Sequence, residues 1–114
     1  MLHTSLPHIQ SDADFQAALS DNDQLMICCG RNGPMCLPVY DVMESLKDRY
    51  DKVAFKVIEF DGPIAHNIRS LPECRSFMGL PFTVWFEGGK VVKATSSIQS
   101  KGQVTAILGE HFEA

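Results

Sequence analysis

Residues 24–30 read QLMICCG, an unbroken apolar stretch between the turn-forming D-N-D at 21–23 and a closing glycine. Apolar residues without polar alternation are what a strand covered on both faces requires, so a central strand is expected here. Ahead of it, Ser11 opens S-D-A-D, a polar cap followed by acids at the positive end of a helix dipole. Phe15, Ala18 and Leu19 then recur at helical spacing and predict a short helix. Further on, Val39, Val42, Met43, Leu46 and Tyr50 fall along one side of a second helix, with Asp41, Glu44, Lys47 and Asp48 largely outside it. Pro38 lacks an amide donor and crowds the preceding turn, which predicts a kink or an offset start.

The segment VAFKVIEFD, 53–61, is a second β-rich run, and residues 62–78 form an irregular or helical crossover. PFTVWFEGGKVVKATS predicts a hairpin turning around Glu87, Gly88 and Gly89, where glycines supply the positive φ of a tight turn. S-K-G-Q at 100–103 has the form of a capping box, and Val104, Ile107, Leu108 and Phe112 stripe the closing helix that follows. After any short strand at the N-terminus, the order is helix, strand, helix, strand, crossover, hairpin, helix. Helices between strands imply parallel pairing with right-handed crossovers, and the hairpin adds antiparallel strands. The expected class is α/β, a central mixed sheet flanked by helices.

The 114 residues suffice for a single domain, 1–114, and 45% hydrophobic with 21% charged residues is a globular composition. The formal charge of -4 comes without a basic stripe, so nucleic acid is not an expected partner. No segment approaches the roughly 20 apolar residues that cross a bilayer, and the first residues lack the charged and apolar regions of a secretory leader. No membrane partner and a cytoplasmic location are therefore expected. Thiols stay reduced there, so Cys28, Cys29, Cys36 and Cys74 read as buried, reactive or metal-binding rather than as a disulfide framework. The spacing C-C-x6-C and the scattered histidines lack metal-site pairing, and neither metal nor cofactor is implied.

Three features in order resemble the thioredoxin family over nearly the whole chain. QLMICC leads through GRN to G-P-M-C at a helix start, where the family has W-C-G-P-C. G-L-P-F at 79–82 is similar to its Ile-Pro-Thr segment with a cis proline, here Pro81. F-E-G-G-K-V-V, followed by the S-K-G-Q helix, is similar to its terminal hairpin and helix. The resemblance implies a thioredoxin-like fold with a small insertion between Asp61 and Pro81.

Aligned this way, Gly33 takes the place of the attacking cysteine and only the second, Cys36, remains. The family's buried acid falls on Ile27, its tryptophan on Cys29, and the threonine after the cis proline on Phe82. A dithiol cycle needs one thiolate to attack a disulfide and a second thiol to resolve the mixed disulfide, so Gly33 stops it at the first step. Three roles stand for Cys36: a monothiol in the first turn of a helix, half of a displaced pair with Cys29, or a small buried side chain. The displaced pair rests on the resemblance, which places Cys29 on the face shared with Cys36 and leaves Cys28 in the core. Cys74, beside Arg75, gains reactivity if exposed.

A cis proline beside the active loop leaves the preceding backbone groups able to pair with an extended peptide. Gly33, Pro34 and Met35 would border such a groove, with Leu80, Pro81 and Trp85 as its apolar walls. Two functions follow. One is a redox-silent binding or assembly module for a protein or peptide client. The other is an atypical thiol-disulfide oxidoreductase working through Cys36, with Cys29 or a cellular thiol reductant as its partner.

Overall fold

A computed structural model describes residues 1–112. Its centre is a four-stranded mixed sheet in the order β2-β1-β3-β4. The strands are β1 (Gln24–Gly30), β2 (Val53–Glu59), β3 (Phe82–Glu87) and β4 (Lys90–Ser96). β1 pairs parallel to β2 and antiparallel to β3, and β4 closes the other edge against β3. The central place of β1 agrees with its unbroken apolar run, since Leu25 through Cys29 are all 0% exposed. Fully burying side chains of that size stabilises by about 1.5–3 kcal/mol each before entropy is counted, so this strand anchors both layers.

Four helices flank the sheet: α1 (Asp12–Asp21), α2 (Leu37–Leu46), the single turn α3 (His66–Arg69) and α4 (Lys101–His111). Strand alternation divides the core in two. Met26, Cys28 and Trp85 pack with Val39, Tyr40 and Met43 of α2 and Leu108 of α4. Leu25, Ile27, Cys29, Phe82, Val84 and Phe86 pack on the other side, with Phe15 of α1 and the crossover residues Ala65, Ile68 and Cys74.

Several element ends differ from the sequence expectation. α2 stops at Leu46, after which Arg49 and Tyr50 donate their amides back to the Leu46 carbonyl and Tyr50 is tucked in as a turn residue, still buried. β2 stops at Glu59: the Phe60 amide makes the last rung to the Gly30 carbonyl, 2.8 Å away, and the chain then turns as the Gly62 amide donates to the Glu59 carbonyl. At the N-terminus only a single parallel bridge forms, His8 to Val57, in place of a strand. The crossover is a 3-10 turn (Pro63–Ala65), α3, and a second 3-10 turn (Pro72–Cys74). Pro38 lies in the first turn of α2, where its missing amide costs nothing, and the helix starts late, just after Cys36.

The hairpin turns on Gly88 and Gly89, whose φ angles of 58° and 80° lie in the left-handed region that glycine adopts freely. At α4, the Ser100 hydroxyl accepts from the Gln103 amide, and the Gln103 side chain accepts from the Ser100 amide. Ser100→Ala removes half of this box, so urea unfolding should show a loss of about 1 kcal/mol.

Candidate functional site

The loop between β1 and α2 folds over the end of the sheet. The Gly33 carbonyl accepts from the amides of Cys36 (3.1 Å) and Leu37 (3.0 Å), which closes the turn and begins the helix. One turn into α2, the Tyr40 hydroxyl donates to the Arg31 carbonyl at 2.9 Å and ties the loop to the helix. Beneath it, the Cys36 sulfur accepts from the Arg31 amide at 3.4 Å and is only 2% exposed as a residue.

These contacts meet at Gly30. A Cβ built there would lie 2.6 Å from Tyr40 Oη, 2.9 Å from Cys36 Sγ and 3.1 Å from Pro81 Cβ. The absent side chain thus lets the strand end, the helix start and the segment before β3 approach one another. The Leu80–Pro81 peptide bond is cis. Leu80 is half-buried, and neither its amide nor its carbonyl makes a backbone hydrogen bond among the described residues. Gly33 is half-buried, with open space where a Cβ would point, and Pro34 and Met35 are exposed. Pro81 itself is buried, so the surface here belongs to its neighbours.

Two expected site residues lie elsewhere. Trp85 is 0% exposed and walls no groove: it pairs with Met26 across β1 and β3, shares its face, and points into the core between the sheet and α2. Cys29 is on the wrong side of the sheet for a partner of Cys36. Its side chain joins the layer of α1 and the crossover, whereas Cys28 shares the layer of Cys36. All four cysteines are free and buried. Burial pushes the Cys28 thiol well above its usual range, although the Thr83 hydroxyl points at its sulfur from 3.8 Å. Burial likewise pushes Cys29 up to about 12, opposed in part by Arg69. Cys74 is pushed up to about 11, again by burial, so Arg75 does not activate it.

Sequence reasoning passed over Gly30, Tyr40 and a surface ion pair. Arg31 holds Asp61 through two contacts, Nε at 2.7 Å and Nη2 at 2.8 Å, bridging the loops after β1 and β2. The pair raises the guanidinium and holds the Asp61 carboxyl below the usual carboxylate range. The one available signal was a glycine ending an apolar strand, which marks a close approach of backbone. Among the described residues no group of His, Cys, Asp or Glu is placed to hold a metal ion. No described helix is long and apolar enough to cross a membrane.

A mixed sheet in this order, with α2 leaving the end of β1 and a cis proline ahead of β3, is a thioredoxin fold. A thioredoxin mutant from Halobacterium salinarum superimposes with a TM-score of 0.78 at 20% identity, over 95% of this chain and 91% of the other. A thioredoxin of Plasmodium falciparum gives 0.76 at 15% identity, over 93% and 99%. Mitochondrial thioredoxin 3 from Saccharomyces cerevisiae gives 0.73 at 20% identity, over 92% and 95%. No protein-family model and no curated protein matches the chain. At these identities the likeness concerns the fold alone.

Two measurements check the site. In the native state a water-soluble disulfide reagent at pH 8 should react slowly with all four thiols, and quickly with all of them once the chain is unfolded. Gly30→Ala drives a methyl group into Tyr40 and Cys36 and should cost about 1–3 kcal/mol in urea unfolding, by overpacking.

Proposed function

We propose that the chain is a thioredoxin-like protein in which Gly33 stands where the attacking cysteine would be, and that it binds or assembles polypeptides rather than turning over disulfides. The observation that carries this reading is the enclosure of Cys36. The loop offers no thiol at Gly33, and the thiol of Cys36 belongs to a residue only 2% exposed beneath the Arg31 amide. Without an accessible attacker, no mixed disulfide forms and nothing is left to resolve.

Binding capacity would come from Leu80. Its unpaired backbone groups suit an extended peptide adding a short strand, held by main-chain hydrogen bonds while side chains meet the flanking surface. Met78, 96% exposed, lines a cleft together with Leu80, and Met35 on the loop before α2 is 43% exposed. Flexible thioethers of this kind accommodate varied apolar partners. The client is a protein or peptide, and the reduced state of the four thiols suits the cytoplasm.

A second reading is favoured by the placement of Cys36 at the N-cap of α2, with an amide donor on its sulfur. In that case Cys36 acts as a monothiol with an external thiol reductant; Cys29 takes no part, being across the sheet. Insulin-disulfide reduction by the wild type and by Cys36→Ser separates the two. No rate above the dithiothreitol background is expected from either protein. A rate present in the wild type and lost in Cys36→Ser would establish the monothiol instead.

A further inference from the structure

Three of the chain's four arginines, Arg31, Arg69 and Arg75, line one cleft beside Leu80, although the protein as a whole is acidic. The cleft holds about 380 Å³, within the roughly 300–1,000 Å³ typical of ligand sites. Its walls are Phe60, Phe77 and Met78. Phe60 serves as a platform, with the Arg69 guanidinium carbon 4.3 Å from its ring centroid and that of Arg31 at 5.2 Å. A cation held over an aromatic face is oriented while its N–H groups stay available at the rim.

Arg31 already shows what such a group accepts, since it grips the Asp61 carboxylate through two nitrogens. Arg69 and Arg75 form no salt bridge among the described residues. Glu73, the nearby acid of the second 3-10 turn, lines a separate depression against β4. Arg31 also joins this cleft to the groove described above, because its amide lies on the Cys36 sulfur while its guanidinium lines the cleft.

We propose that the cleft selects clients carrying an acidic side chain, Asp or Glu, next to an apolar residue in an extended segment. The carboxylate meets Arg69 and Arg75, and the apolar neighbour lies against Phe77 and Met78. This deepens the polypeptide-binding reading and rests on it. An acidic peptide is favoured over nucleic acid because the cationic patch is short, one of its three charges is already satisfied by Asp61, and the surrounding chain is negative.

The test is fluorescence anisotropy with labelled ten-residue Gly/Ser peptides that contain Leu-Glu, Leu-Gln or Leu-Lys at the centre. The Glu peptide should bind about fivefold more tightly than the Gln peptide in low salt, the scale of two exposed ion pairs. That advantage should shrink at high salt and vanish in the Arg69→Gln/Arg75→Gln double variant, with binding of the Gln peptide unchanged. Equal affinity for the Glu and Gln peptides overturns the acidic preference and leaves the groove standing. Failure of all three peptides to bind removes both. A preference that survives in the double variant overturns the assignment to this cleft, and so does a single-stranded oligonucleotide that displaces the Glu peptide at equal charge.

Discussion

There is no room for a methyl group at residue 30, and much of the geometry of this face follows from that. Tyr40 Oη, Cys36 Sγ and Pro81 Cβ all crowd the direction in which a Cβ would project. The close approach lets Tyr40 reach back to the Arg31 carbonyl and lets the loop lie flat over the sulfur. The Gly30 carbonyl accepts from the Phe60 amide as the last rung between β1 and β2. Phe60 is thereby fixed as the ring on which two arginines rest. One missing side chain therefore lets the helix start and the segment before β3 meet, and the backbone of the same residue holds Phe60 beside the cationic cleft.

Features governed by neighbours in the chain were legible before any coordinates. The five apolar residues of β1 gave a buried strand, two glycines gave the hairpin, and S-K-G-Q gave the cap of α4. Facing was not legible. Alternation says that Cys28 and Cys29 point apart but leaves open which of them meets α2, because that depends on the side of the sheet to which the chain returns. Choosing by resemblance put Cys29 with Cys36, one residue out of phase with the observed layers. Trp85 was misplaced for a related reason. Nothing in F-T-V-W-F states that its alternate positions are all buried, since β3 is covered on one face by α2 and α4 and on the other by α1 and the crossover. The Arg31–Asp61 pair was out of reach altogether, because it joins two loops thirty positions apart in sequence.

Enclosure gives the sulfurs a common physical role. A thiol in apolar surroundings behaves as a small hydrophobe, and its charged form is penalised by lost hydration. Cys28 and Cys29 sit on opposite faces of the most buried strand, and Cys74 plugs the base of the crossover. Cys36 fills the space between the end of β1 and the first turn of α2, where a larger residue would collide with Tyr40 and the Arg31 amide. Keeping a cysteine at this place therefore has a packing reason that is independent of electron transfer.

The surface works differently from this interior. Six of the fourteen acidic residues lie on α1, α2 and α4, and Asp61, beside the cleft at Phe60, is already engaged by Arg31. At physiological salt the Debye length is about 8 Å, so distant carboxylates hardly weaken a cation that contacts its ligand directly. Arg69 and Arg75 can thus present a local positive site on an acidic protein. Its range is short enough that the proposed client would have to be seated against Leu80 and Met78 before the charges were felt. In the proposed binding mode, selection by charge and docking by backbone pairing are parts of one event, because the loop that carries Arg31 both covers Cys36 and lines the cleft.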